Sequence, residues 1–161
     1  MNIREQLKSG PLLFDGAFGT YYAARRCDRF GKYEEANLAA PGMVRQIAFE
    51  YLQAGCNAIK TNTFGANRAS LGCGRERLRD IILAACRIAN AAVEGRDAAV
   101  FADIGPIPRE SGADLGEQYR ELVDLFLEGG VRNFLFETLS NGDFIPSTAA
   151  YIREKAPNSF I

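Results

Sequence analysis

The sequence predicts an α/β fold with a parallel sheet, arranged either as a (β/α)8 barrel or as an open, doubly wound sheet. Short apolar runs alternate with amphipathic helical patterns, and no linker or low-complexity stretch interrupts them. Repeated strand–helix units of this kind form parallel sheets, because each helix returns the chain to the same edge. The 161 residues and the hydrophobic content of 47% are enough for one domain with a sizeable core.

Four predicted strands are separated by helices of ordinary length. Each strand is a short apolar run, and the runs lie at 12–14, 58–61, 99–102 and 134–136. The first helix lies between Pro41, which suits a first turn, and Gly55, which suits a C-terminal cap. Its apolar residues recur at intervals of three and four, and the same spacing predicts the later helices at 78–95, 119–129 and 144–155.

The last residues, 157–161, have the pattern of a turn followed by the opening of a fifth strand. A complete (β/α)8 barrel needs about 200 residues or more. We therefore expect residues 1–161 to cover about the first four βα units, or half a barrel, and to stop at the start of strand five.

Composition and charge exclude several classes of function. The 19 basic and 20 acidic residues leave a net charge of −1, which provides no electrostatic footprint for nucleic acid or for an anionic membrane. No apolar run approaches the roughly 20 residues that span a bilayer, and the N-terminus lacks the apolar core of a secretory signal. We expect a cytoplasmic protein.

Few residues are available for metal or redox chemistry. The sequence has no histidine, which is the commonest metal ligand and general base. Its four cysteines are widely spaced and form no Cys-x-x-Cys pair, so neither a zinc knuckle nor a dithiol site is indicated; they are Cys27, Cys56, Cys73 and Cys86. Cys86 lies on the apolar face of a predicted helix, and we interpret it as a buried, inert thiol.

Polar residues directly follow each predicted strand. They are, in chain order, Asp15, Asn62, Asp103 and Glu137. The C-terminal ends of parallel strands form one face, where active sites are built, so we expect these side chains to converge. Taken singly, the two aspartates could cap turns and the asparagine could satisfy loop backbone groups. Glu137 follows a strongly apolar strand and therefore needs a partner or a ligand. We call the opening at these strand ends the mouth. Its carboxylates and free backbone N–H groups suit a ligand with both ammonium and carboxylate groups, such as an amino acid.

Four segments resemble the homocysteine S-methyltransferase family, and they occur in that family's order between about residues 10 and 155. Residues 13–20, Leu-Phe-Asp-Gly-Ala-Phe-Gly-Thr, resemble its opening motif. Residues 61–67, Thr-Asn-Thr-Phe-Gly-Ala-Asn, are similar to its second-strand motif and are the most specific match. Residues 103–106 and 136–138 match its third and fourth strand motifs.

The resemblance implies a (β/α)8 TIM barrel that transfers a methyl group to the thiol of homocysteine, giving methionine. In this family zinc is held by three cysteine thiolates near later strands, and it would lower the pKa of the substrate thiol. The methyl donors used in the family are methyltetrahydrofolate through cobalamin, betaine and S-methylmethionine.

The matching motifs also imply roles for individual residues. Asp15 and Glu137 would hold the ammonium group of homocysteine, and Asp103 would lie at the same mouth. Backbone N–H groups of Gly16 and Ala17 are candidates for binding its carboxylate. Asn62 and Thr63 would shape the mouth.

Three features depart from the family pattern. The zinc thiolates belong to segments beyond residue 161, so none of the four cysteines corresponds to them, and we expect residues 1–161 alone to be inactive. Lys60 is an unusual polar residue within a barrel strand, and it faces either the helices or the mouth. The loop 107–116 matches poorly.

Two other functions stay open from the sequence. The chain could be a non-catalytic half-barrel that associates with another copy or another chain through unpaired strand edges. Alternatively, the barrel could methylate a different thiol or a selenol.

Overall fold

The computed structural model describes residues 1–26, 31–108 and 114–161, and it has a parallel sheet covered by helices. The sheet has the order β1 (Ala58–Lys60), β2 (Ala99–Ile104) and β3 (Phe134–Phe136), so each strand pairs in parallel with the next along the chain. Single parallel bridges extend this order at both edges, from Phe14 to Ala58 and from Asn133 to Phe160. The predicted alternation of parallel strands with helices is confirmed.

The helices are α1 (Ile3–Ser9), α2 (Phe18–Arg26), α3 (Ala36–Ala39), α4 (Pro41–Gln53), α5 (Arg68–Leu71), α6 (Arg75–Val93), α7 (Leu115–Glu128) and α8 (Ile145–Lys155). The long helices α4, α6, α7 and α8 are the predicted ones. As expected, Pro41 lies in the first turn of α4, and Gly55 after that helix adopts a positive φ of 104°. Asp114 caps α7, because its side chain accepts hydrogen bonds from the first N–H groups of the helix.

The two faces of the sheet bury different clusters of side chains. On the helix-facing side, Ile59, Val100 and Ile104 pack in the main core with α6 and α7. On the opposite side, Ala58 and Phe101 form a smaller cluster to which aromatic rings from the edge segments are added. Because side chains alternate along a strand, the parity of a residue decides which face it occupies.

Some elements differ from the sequence prediction. The first predicted strand, 12–14, pairs only through the bridge at Phe14. β2 extends to Ile104, so Asp103 belongs to the strand instead of following it, because this central strand is paired on both sides. The shorter helices α1, α2, α3 and α5 were not predicted, since segments of four to nine residues are too short to show a clear apolar period.

The described cysteines differ in burial, and the prediction made for Cys86 is confirmed. Cys86 is fully buried, as predicted, whereas Cys73 is partly exposed. Cys27 and much of the poorly matched loop (109–113) lie outside the described residues. Within the described ranges, no helix is long and apolar enough to cross a membrane.

Candidate functional site

A cavity of about 590 Å³ opens at the carboxyl ends of the strands. The structure brings together around it all of the residues that the sequence predicts for the site, namely Asp15, Gly16, Ala17, Asn62, Thr63, Asp103 and Glu137. Residues of α4 and α6, such as Ile47 and Ala85, line its apolar side. The cavity therefore combines an acidic rim, formed by Asp15, Asp103 and Glu137, with an apolar wall, as small-ligand sites commonly do.

The acidic rim follows from the alternation of side chains along the strands. Lys60 has the parity of Ala58, and Asp103 has the parity of Phe101, so both occupy the face away from the main core. Glu137 directly follows β3 and reaches the same face. Of the two positions predicted for Lys60, the structure shows the one that faces the mouth.

Lys60 forms an ion pair with Glu137 across the cavity. Its Nζ lies 3.3 Å from Oε2 and 3.4 Å from Oε1 of the glutamate. The two side chains keep 20% and 30% of their exposure, so solvent reaches the pair. Their strands, β1 and β3, are not neighbours, and the contact therefore requires the sheet to curve toward this face.

Asp15 lies beside this pair and is bound to the backbone of β1. The N–H of Lys60 donates to its carboxylate, at 3.2 Å from Oδ1 and 3.3 Å from Oδ2. Burial raises the pKa of Asp15 to about 6, and the nearby charge of Glu137 adds to this increase. Its carboxylate is therefore mostly ionised at neutral pH but titrates not far below it.

Asp103 is the most buried carboxyl group of the rim, with 5% exposure. Burial, the neighbouring charge of Glu137 and a hydrogen bond between the two carboxyl groups together raise its pKa to about 8. Asp103 is therefore mostly protonated at neutral pH and donates to Glu137. Its Oδ1 has no hydrogen-bond partner among the described residues.

The positive charge of Lys60 is well maintained. Burial disfavours its charged form, but interactions with the carboxyl groups of Asp103, Glu137 and Asp15 together outweigh burial, so that its pKa is raised. At neutral pH the ammonium group of Lys60 thus lies near the mostly ionised carboxylate of Asp15, with Asp103 as a neutral acid.

Two threonines of the second-strand motif fix Asp103 in place. The N–H of Asp103 donates to Oγ1 of Thr61 at 3.1 Å, and Oγ1 of Thr63 donates to the carbonyl oxygen of Asp103 at 2.8 Å. The two hydroxyl oxygens are 2.6 Å apart, and the hydroxyl of Thr61 must be the donor between them, because that of Thr63 is already used. This closed ring of hydrogen bonds replaces the ladder where β1 ends.

Asn62 is held by the segment that precedes α4. Its Nδ2 donates to the carbonyl oxygen of Tyr33 at 2.8 Å and to Oδ1 of Asn37 at 3.0 Å. Asn37 returns a hydrogen bond of 2.8 Å to the carbonyl oxygen of Asn62. Asn62 and Thr63 thus shape the mouth by holding backbone segments, and direct contact with a ligand stays a prediction.

Sequence reasoning missed Glu34 and Tyr51, which support the glycines of the mouth. Glu34 is buried and accepts a hydrogen bond of 2.6 Å from the N–H of Gly65. The hydroxyl of Tyr51 donates to the carbonyl oxygen of Ala17 at 3.0 Å. A Cβ at Gly16 would lie 2.8 Å from that hydroxyl. Neither residue belongs to a strand-end motif, so only the three-dimensional contacts identify it.

Backbone strain also marks the site. Thr138, which follows Glu137 and lines the cavity, has a φ of +60°. A β-branched residue adopts this conformation rarely, at a cost of about 1–3 kcal/mol. Such strain is concentrated at functional sites.

The described residues do not form a metal site. Within 1–26, 31–108 and 114–161, no group of three or more potential ligands lies close enough to hold a metal ion. Burial raises the pKa of Cys56 to about 11 and that of Cys86 to about 12, which disfavours the thiolate that zinc requires. The described residues thus supply no ligand set for zinc.

Comparison with known protein families identifies the class of protein. Residues 12–157 match the family model described as homocysteine S-methyltransferase. Since the match covers most of the chain, the chain belongs to the homocysteine S-methyltransferase family.

Curated relatives extend well beyond the region they share with this chain. The chain is 28% identical over 156 residues to a methionine synthase of Mycobacterium tuberculosis, covering 85% of this chain and 13% of that protein. It is 33% identical over 104 residues to the S-methylmethionine–homocysteine S-methyltransferase BHMT2 of Pongo abelii, covering 63% and 28%. It is 28% identical over 141 residues to betaine–homocysteine S-methyltransferase 1 of Sus scrofa, covering 80% and 51%. The chain thus spans about half or less of these proteins.

A solved structure shows the same fold. The oxidised form of the homocysteine methyltransferase MmuM from Escherichia coli matches with a TM-score of 0.80 and 22% identity, over 99% of this chain and 63% of that one. The metallated form of that protein matches with a TM-score of 0.77 and 21% identity, over 99% and 64%. The parallel α/β structure described above therefore has the fold of that protein over about 63% of its length.

Proposed function

We propose that this chain supplies the amino-acid-binding part of a homocysteine S-methyltransferase barrel, whose reaction transfers a methyl group to the homocysteine thiol and gives methionine. The observation that carries this proposal is the acidic rim formed by Asp15, Asp103 and Glu137 at the carboxyl ends of the strands. Family membership supports the substrate, since all three curated relatives act in methyl transfer to homocysteine or in methionine synthesis by name.

The rim has the charge that an α-amino acid needs. Glu137 and Asp15 offer carboxylates to a substrate ammonium, and Oδ1 of Asp103, which has no partner among the described residues, can accept a further hydrogen bond. Gly16 and Ala17 are exposed at the mouth just before α2, where backbone N–H groups suit the substrate carboxylate. The apolar wall from α4 and α6 accommodates the methylene groups of the side chain.

The proposal assigns this chain about the first four βα units of the barrel. The ordered arc from the bridge at Phe14, through β1, β2 and β3, to the bridge at Phe160 supports this assignment. In this proposal, residues other than 1–161 bind zinc and the methyl donor, which is betaine, S-methylmethionine or methyltetrahydrofolate.

Homocysteine titration by calorimetry tests the proposal. We expect binding to wild type, and a loss of affinity of about 30- to 1000-fold in Glu137→Gln, because the amide keeps the shape but leaves the ammonium partly unpaired at a cost of about 2–4 kcal/mol. Glu128→Gln, at the end of α7, alters an ion pair with Arg79 of α6; it is the matched control and should bind normally. Equal affinity of the Glu137→Gln protein and wild type would refute the proposal.

A further inference from the structure

The ammonium group of Lys60 lies where the proposed function places the ammonium group of the substrate. This ammonium group contacts both carboxylate oxygens of Glu137. The backbone N–H of Lys60 donates to the carboxylate of Asp15. One residue therefore engages, through its side chain and its backbone, the two carboxylates that a bound amino acid would share.

We propose that Lys60 is a specificity-determining residue that acts as an internal substitute for the ligand ammonium, so that a ligand binds by displacing Lys60 from Glu137. This inference rests on the proposed amino-acid-binding function. It assigns Lys60 to competition with the ligand and not to contact with it.

The geometry of the ion pair makes displacement feasible. Charge-assisted N–H···O bonds are about 2.7–2.9 Å long when well formed. The Lys60–Glu137 contacts, at 3.3 and 3.4 Å, are longer, so a ligand ammonium can approach the carboxylate more closely than Lys60 does. Both side chains are partly exposed, so the lysine can move into solvent when it is displaced.

The competition selects among ligands. A simple amine gains an ion pair with Glu137 but must break the existing pair between Lys60 and Glu137. We therefore expect it to bind weakly. A homocysteine molecule adds contacts through its carboxylate and side chain that offset this loss. Oδ1 of the buried Asp103 has no partner within residues 1–26, 31–108 and 114–161, and it offers a further hydrogen-bond acceptor at the same rim.

Binding to lysine variants tests the inference with two probes, homocysteine and n-butylammonium, titrated at pH 7 by NMR chemical shift. In Lys60→Met, both should bind about two- to tenfold more tightly, because the competing cation is gone. Lys60→Gln serves as a second neutral variant in case the first folds poorly. Lys60→Arg keeps the charge and can pair with Glu137 through two N–H groups, so both probes should bind no more tightly to it than to wild type.

Two controls show whether the gain belongs to the ammonium group. 4-Mercaptobutanoate, which lacks an ammonium group, should gain nothing from the neutral variants. Lys155→Met, at the exposed end of α8, should bind every probe as wild type does.

The outcomes separate this inference from the proposed function. Weaker or unchanged binding of butylammonium in both neutral variants overturns the competition, whatever homocysteine does. Tighter binding of 4-mercaptobutanoate also overturns it, since the effect would then come from space and not from charge. If homocysteine binds no better than butylammonium in every variant, yet both tighten without Lys60, the proposed function fails while the competition stands.

Discussion

The hydroxyl group of Thr63 donates a hydrogen bond of 2.8 Å to the carbonyl oxygen of Asp103, which lies 40 positions later in the chain. Together with Thr61, it satisfies both backbone polar groups of Asp103 beyond the end of β1. The second-strand motif thus positions a carboxyl group of the next strand, and this contact links the motif to the chemistry of the rim.

Replacing Thr63 by valine keeps the shape of the side chain but removes its hydroxyl group, and it should therefore destabilise the protein. The carbonyl of Asp103 and the hydroxyl of Thr61 would each lose a partner while buried, at a combined cost of about 1–3 kcal/mol. Urea unfolding at pH 7 measures the change. The matched control is Thr20→Val, at an exposed position of α2, which should stay within about 0.5 kcal/mol of wild type. Equal stability of the Thr63→Val and Thr20→Val proteins would contradict the role of the ring.

The free energy of unfolding should fall as the pH rises, because Asp103 is harder to ionise in the folded protein than in the unfolded one. Its pKa in the folded protein is about 8, against an ordinary value of 3.8, so the folded state binds more protons than the unfolded state between those values. The free energy of unfolding therefore falls as pH increases through this window. Asp103→Asn is always neutral and can still donate to Glu137, so it removes this loss.

We expect the stability advantage of Asp103→Asn over wild type to grow by about 1–3 kcal/mol between pH 5 and pH 8. Urea unfolding at the two pH values gives the difference. The exposed Asp97→Asn is the control and should show no such growth. An advantage that shrinks with pH would mean that Asp103 is ionised in the folded protein at neutral pH.

The parts of this structure that the sequence predicts are those governed by local rules. The long helices and the central strands follow from apolar periodicity, and the convergence of Asp15 and Glu137 follows from the common direction of parallel strands. Residues 61–67 are the most specific of the four segments on which the predicted family resemblance depends.

The Lys60–Glu137 pair could not be predicted in the same way. The two residues are 77 positions apart, and their strands are separated by β2, so their contact depends on the curvature of the sheet. The buried Glu34 was missed for a similar reason, since its partner, the N–H of Gly65, lies in another loop. Pairing between segments that are distant in sequence leaves no periodic pattern.

Gly105 should tolerate no side chain. A Cβ there would lie 2.5 Å from the carbonyl oxygen of Phe64, a backbone atom that cannot move without disturbing the second-strand motif. We expect Gly105→Ala to destabilise the protein by about 1–3 kcal/mol, measured by urea unfolding. Gly42→Ala, in α4 with open space around its Cβ, should instead be stabilising by about 0.5–1 kcal/mol. Similar effects of the two substitutions would show that the close approach at Gly105 relaxes easily.

Homocysteine affinity should increase as the pH rises from 5 to 7. Burial raises the pKa of Asp15 to about 6, so its carboxylate becomes ionised within this range. Lys60 and Glu137 face it, and their opposite charges partly compensate each other. The amino group of homocysteine stays protonated below pH 7, so the ligand charge is constant while the site becomes more negative.

We expect a gain of about three- to tenfold in wild type over this interval, measured by calorimetric titration. Asp15→Asn keeps an oxygen for the N–H of Lys60 but cannot ionise, so its affinity should be lower at pH 7 and nearly independent of pH. A similar rise in both proteins would assign the titration to another group of the rim. A flat profile in wild type would mean that Asp15 does not contact the ammonium group.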